Sequence, residues 1–146
     1  MTAVLVVDDQ PDIRELLNTV LELRGVEVEQ AVGGPEALEV LTRPDQFDLI
    51  LLDVQMPEMD GWDTLTAIRE RFGEFGPRVV LCTVKGHPRD LVHGWTLGCD
   101  GYVWKPFDLT AIVNEVDTVI SRSPAERARA RHNAVAEAEN MLRAVT

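Results

Sequence analysis

The 146-residue sequence predicts a doubly wound α/β fold: five parallel strands in the order 2-1-3-4-5, helices on both faces, and one more helix at the C-terminus. Three observations predict it. Five short strand-like segments alternate with five stretches of helical periodicity, the signature of consecutive βαβ units. Runs such as Leu49–Leu52 and Val79–Cys82 are continuously apolar rather than alternating, as in strands covered on both faces. Right-handed crossovers and short connections then leave few arrangements, of which 2-1-3-4-5 is the natural one at this size.

The elements follow in order. Ala3 to Val7 is a buried strand ending in Asp8-Asp9. Pro11 fits the first helical position, with Asp12 and Glu15 favourable in the first turn. Ile13, Leu16, Leu17, Val20, Leu21 and Leu23 follow at helical spacing, and Gly25 is a natural stop. Val26 to Val32 alternates like an edge strand, and a short helix runs from about Pro35 to Thr42. Asp48 to Asp53 is the third strand. Asp60 is a candidate N-cap for a helix from Gly61 to about Phe72. Val79 to Cys82, ending in Thr83, is the fourth strand, and His87-Pro88 opens a helix that Gly98 stops. Gly101 to Trp104 is the fifth strand, ending in Lys105-Pro106, and Asp108 caps a helix from Leu109 to Ser121. After Ser123-Pro124, residues 125–145 form an Ala-, Glu- and Arg-rich helix with a narrow stripe of Val135, Ala138, Leu142 and Val145.

In a parallel sheet the C-terminal strand ends share one edge, and ligands bind there where the strand order reverses. Asp8, Asp9 and Asp53 should therefore converge between strands 1 and 3, with Thr83 and Lys105 alongside. Three carboxylates stay ionised together only if a cation offsets them. An all-oxygen donor set favours a hard cation such as Mg²⁺. A carboxylate beside that ion can act as a nucleophile towards a phosphoryl group and form an acyl phosphate. Lys105 and Thr83 are the right types to hold the phosphoryl oxygens.

Composition narrows the partners. A net charge of −11 argues against whole-chain binding to a nucleic-acid backbone. No apolar run is long enough to span a bilayer, and the N-terminus does not resemble a signal peptide, so a cytoplasmic location is expected. Cys82 and Cys99 lack metal-ligand spacing and are expected to be free buried thiols. No Gly-rich phosphate loop follows strand 1, which disfavours nucleotide enzymes.

The sequence resembles the receiver domains of two-component response regulators, the family of the chemotaxis regulators, across about residues 2–121. The residues that carry the resemblance are Asp8-Asp9, Asp53-x-x-Met56-Pro57-x-Met59-Asp60-Gly61, Thr83, Gly98-Cys-Asp-Gly-Tyr102 and Lys105-Pro106-Phe107. Asp53 follows Asp9 by 44 residues, Thr83 follows Asp53 by 30, and Lys105 follows Thr83 by 22, all matching the family. The resemblance implies that Asp53 accepts a phosphoryl group from a sensor histidine kinase or a His-phosphotransfer protein. It implies Mg²⁺ held by Asp9, Asp53 and the backbone carbonyl of Gln55, with Asp8 acting through water. It further implies that Lys105 pairs with the phosphoryl oxygens, that Thr83 moves towards them with Tyr102 turning inward behind it, and that the Lys105-Pro106 peptide is cis. Output would pass to a downstream protein on the face made by helix 4, strand 5 and helix 5. Gln55, Val84 and Lys85 are the positions that tune phosphoryl lifetime, and Val84 is larger than the residue the family usually has.

The expected division is a receiver domain over 1–122 and a helical extension over 123–146, with no DNA-binding domain. The extension reads as a solvated tail or, more sharply, as a docking or dimerising helix that would make a homodimer. No enzymatic activity beyond self-phosphorylation and autodephosphorylation is expected. Two alternatives remain at this level. One is a Mg²⁺-dependent aspartyl-phosphate phosphatase or phosphotransferase, against which Gln55 stands where a second Asp is wanted. The other is a receiver-like binding module that works without phosphorylation.

Overall fold

The computed structural model describes residues 1–84 and 86–146. Its five strands are β1 (Ala3–Val7), β2 (Glu27–Ala31), β3 (Leu49–Asp53), β4 (Arg78–Thr83) and β5 (Gly101–Trp104). They form one parallel sheet in the order β2-β1-β3-β4-β5, as the sequence predicts. The helices are α1 (Pro11–Glu22), α2 (Gly34–Val40), α3 (Gly61–Phe72), α4 (Pro88–Leu97), α5 (Leu109–Ser121) and α6 (Pro124–Val145).

Side chains alternate across a strand, so a central strand feeds two cores. Leu5, Ile50, Leu52, Val79, Leu81 and Tyr102 pack on the side of α2, α3 and α4. Val4, Leu49, Leu51, Val80, Cys82 and Val103 pack on the side of α1 and α5, against Leu17, Leu21, Ile112 and Val116. β3 is buried along its whole length, which explains why Leu49–Leu52 carries no polar alternation. β2 is one edge strand, with Glu27, Glu29 and Gln30 in solvent, and β5 is the other.

The helix boundaries follow local chemistry. The Asp60 side chain accepts a hydrogen bond from the Asp63 amide, and Asp108 accepts from Thr110 and Ala111, so both expected N-caps are present. Gly61 is where α3 comes against β3. A Cβ there would lie 2.5 Å from the Asp53 carbonyl oxygen, so only glycine allows this approach. Gly98 ends α4 in the left-handed conformation.

α6 departs from the solvated-tail expectation. It packs along α4 of its own chain. Its N-terminus carries a full capping box of Ser123 and Glu126. Arg127 and Arg131 are buried one turn apart and reach the carboxylate of Asp100 at 2.9 and 3.0 Å. Ala138, further along the same face, is also buried, whereas Val145, expected on the stripe, is 61% exposed. The buried stripe thus starts earlier than the apolar pattern indicates, because its first two members are arginines.

Candidate functional site

The site is assembled at the C-terminal edge of the sheet. β1 continues into Asp8 and β3 ends in Asp53; both carboxylates are buried, at 1% and 3% exposure. Asp9 is exposed. One oxygen from each of the three carboxylates lies within 4.8 Å of the other two. Lys105, directly beyond β5, places its ammonium 3.0 Å from Asp8 Oδ2 and 3.2 Å from Asp53 Oδ1. The expected convergence of Asp8, Asp9, Asp53 and Lys105 is therefore present.

Backbone details fix these groups. The Gln10 amide donates to Asp8 Oδ1 at 2.9 Å, and the Gln55 amide donates to Asp53 Oδ1 at 3.3 Å. Arg14, which the sequence analysis did not single out, donates from Nη1 to the Asp8 carbonyl at 2.8 Å and from Nε to Gln30. It ties the ends of β1 and β2 to α1. Its position one turn into a helix that follows the acidic pair was the available signal.

Burial raises the pKa of Asp53, and the neighbouring Asp8 charge raises it further, against the lowering effect of Lys105 and the Gln55 amide. For Lys105 burial opposes the charge, but the hydrogen bond to Asp8 and the charges of Asp53 and Asp8 prevail and raise its pKa. One ammonium faces three carboxylates, so the cluster retains a negative excess that suits a hard divalent cation. The donors are all oxygens, as Mg²⁺ prefers, and one carboxylate opens to water, as an ion that keeps several waters requires. The residues present therefore fit Mg²⁺.

The remaining expected residues lie around this cluster. Thr83 ends β4 and is buried; its register partner in β5 is Trp104. Tyr102 is 8% exposed, so its ring already points inward, and its hydroxyl donates to the Asp90 carbonyl in the first turn of α4 at 3.0 Å. Trp104 stacks on it at 5.4 Å and is 44% exposed. The two side chains share one side of the sheet, as alternation predicts. Gln55 is exposed and Val84 is 58% exposed, so the Val84 side chain stands in solvent at the rim. Lys85 lies outside the described residues. The Lys105-Pro106 peptide is cis. Cys82 and Cys99 are free and buried, with thiol pKa values pushed upward by burial, so neither is a nucleophile.

The edge thus carries an acidic triad, a lysine and a β4-terminal threonine on a 2-1-3-4-5 sheet. The chain belongs to the response regulator receiver domain family, whose model matches residues 4–117. It is 38% identical over 123 residues to the transcriptional regulatory protein CpxR of Escherichia coli, covering 84% of this chain and 51% of that protein. It is 32% identical over 137 residues to the DNA-binding dual master transcriptional regulator RpaA of Synechocystis, covering 92% of this chain and 56% of the relative. The chain thus spans about half the length of the curated relatives it matches. Among solved structures it resembles the chemotaxis protein CheY4 of Vibrio cholerae, with a TM-score of 0.74, 31% identity, and coverage of 82% of this chain and 98% of the other. It also resembles the non-phosphorylated receiver domain of HemR from Leptospira biflexa, with a TM-score of 0.77, 28% identity, and coverage of 84% and 97%. The family match ends at residue 117, before α6 begins at Pro124. No helix among the described residues is long and apolar enough to cross a membrane.

Proposed function

We propose that Asp53 is the phosphoacceptor of a phosphorelay and takes its phosphoryl group from a phosphohistidine on a sensor kinase or a His-phosphotransfer protein. The observation that carries this reading is the Asp8–Lys105–Asp53 arrangement, with ammonium-to-carboxylate distances of 3.0 and 3.2 Å at the sheet edge. A Mg²⁺ ion held by Asp9, Asp53 and the Gln55 carbonyl, with Asp8 through water, would neutralise charge on the transferring group. An Asp53 carboxylate oxygen attacks phosphorus; the P–O bond forms as the P–N bond breaks, and the imidazole nitrogen leaves with its electron pair and takes up a proton. Lys105, freed from part of its bond to Asp53, follows the phosphoryl oxygens, and Thr83 donates its hydroxyl to one of them. Gln55, Val84 and Lys85 would set the lifetime of the acyl phosphate. The chain would catalyse only its own phosphorylation and dephosphorylation, in the cytoplasm.

The separation into a receiver over 1–122 and a helical extension over 123–146 is consistent with the family match. For output, the β5–α5 side with its exposed Trp104 is the open part of the helix 4–strand 5–helix 5 face. A phosphatase of the aspartyl type wants a second carboxylate where Gln55 stands, so the acceptor role is the better reading.

The test is phosphorylation in vitro. With Mg²⁺ and acetyl phosphate, wild type should gain the mass of one phosphoryl group on the peptide holding Asp53, and Asp53→Asn should gain none. Equal yield on the variant would remove the assignment.

A further inference from the structure

The family match leaves α6 unexplained, and the structure gives it a definite seat. Its base is fastened by three guanidiniums on one carboxylate: Arg69 of α3 and Arg127 and Arg131 of α6 all reach Asp100, at 2.9 to 3.0 Å. The Phe75 ring lies 5.7 and 5.6 Å from the Arg127 and Arg131 guanidinium carbons. Above this anchor, Trp95 and Thr96 of α4 line one groove with Arg131 and Val135 of α6. Ala138 is 3% exposed, so the helix stays in contact well past its anchor.

On its other side, α4 is keyed to Tyr102. The Tyr102 hydroxyl bonds to the Asp90 carbonyl, and its ring centroid is 6.1 Å from that of Trp95. Gly94 lies against the same hydroxyl so closely that any Cβ there would collide with it. α4 is therefore held between Tyr102 inside and α6 outside, and Trp95 touches both layers. Tyr102 cannot leave its inward position without α4 giving way, and α4 cannot give way freely while α6 is docked.

We propose that α6 is a clamp: by holding α4 on Tyr102 it keeps the core behind Thr83 filled, and so favours the phosphoryl-bound state of the Asp53 site. This inference rests on the phosphoacceptor reading for its link to Asp53. The physical reason is packing. Thr83 pairs in register with Trp104, whose ring stacks on Tyr102 on the same side of the sheet, and Thr83 can move to a phosphoryl oxygen at low cost only if no void opens behind it. Coupling of this kind is reciprocal, so loosening α6 must weaken binding at the site by the same factor that site occupancy strengthens α6 docking.

The experiment uses the full chain with Mg²⁺ and beryllofluoride. Ala138→Asp, and Ala138→Asp with Leu142→Asp, place charges on the buried face of α6; Glu137→Ala on its exposed face is the control. Amide exchange over residues 132–145 reports whether α6 has left α4, and exchange over residues 88–97 reports the state of α4. Where α6 is released, half-saturation by beryllofluoride should need roughly fivefold more of the analogue or more, and α4 amides should lose protection, with Glu137→Ala unchanged. Unchanged half-saturation in a variant whose α6 has lost protection would overturn the clamp. So would an α6 that stays protected in the double variant, since contact with α4 would then not be what holds it. If wild type takes up no beryllofluoride, the phosphoacceptor reading fails, and the clamp on α4 is still judged by exchange over residues 88–97.

Discussion

Ionised Asp53 sits where its own charge is penalised. Burial and the charge of Asp8 raise its pKa above the ordinary carboxylate value, and Lys105 only partly offsets them. A carboxyl whose pKa is higher in the folded chain than in the unfolded one holds its proton more tightly when folded. Its stabilising contribution is complete below the unfolded value of 3.8 and is lost as pH rises through the folded value. Neutral Asn imitates the protonated form, so in metal-free buffer at pH 7 Asp53→Asn should melt higher than wild type, by roughly 3 °C. The difference should shrink as pH approaches 4. Scanning calorimetry at both pH values checks this, and a variant that melts lower at pH 7 would mean that the Lys105 bond outweighs desolvation. The same site carries its own lesson in legibility. Asp53 stood out because a continuous apolar run ends in a carboxylate, and Lys105 because it follows directly on the fifth strand. Arg14 did not stand out, since its place one turn after the acidic pair gains meaning only once its partner, the Asp8 carbonyl, is known.

At the scale of the element, α6 shows how charge can act as core. Three cations on one carboxylate leave a positive excess, which the carbonyls of Gly98, Pro77 and Cys99 help to solvate. Burial, together with the Arg131 and Arg127 charges, pushes the Arg69 guanidinium down to about 10, against the opposing effect of Asp100. Removing the one anion strands all three cations, whereas removing one cation relieves repulsion between the others. Asp100→Ala should therefore cost about 3–5 kcal/mol in urea unfolding, and Arg131→Met markedly less, about 1–2 kcal/mol. Equal costs would mean that the cluster does not act as one unit. The helix itself and part of its stripe were legible from period and composition, whereas its capping box was not read from Ser123 and Glu126. Its partner was not, because a pattern of polar and apolar residues codes arginine as solvent-facing. Arg127, Arg131, Val135 and Ala138 form one continuous face once the arginines are admitted. The central strands posed no such problem: burial of β1, β3 and β4 on both faces demands unbroken apolar runs, and such runs have few other readings.

For the whole molecule, the net charge of −11 and the sheet topology act together. On a chain that is already negative, the acidic edge would attract a divalent cation, and that attraction would be screened by salt. Mg²⁺ should raise the melting temperature of wild type, by about 2.7 kcal/mol of stability at a hundredfold excess over its Kd. The gain should fall as NaCl is raised, and Asp9→Asn should lose most of it. A gain that survives in Asp9→Asn would place the ion elsewhere. The strand order that brings the cluster together was predictable from the alternation of elements. The hydrogen bond that seats Tyr102 on Asp90 was not, because it depends on where α4 lies, and the sequence offers a docking helix without naming α4 as its seat.

The pairing of Lys105 with Asp8 spans 97 positions of the chain. During synthesis the three carboxylates leave the ribosome long before their ammonium, and strands β1 and β3 can pair while the cluster still lacks it. A loop of that length closes at an entropic cost that only the finished sheet repays. The nascent chain thus carries its acids early and gains the ammonium that offsets them only after β5 has emerged, so the complete cluster reports that all five strands are in place.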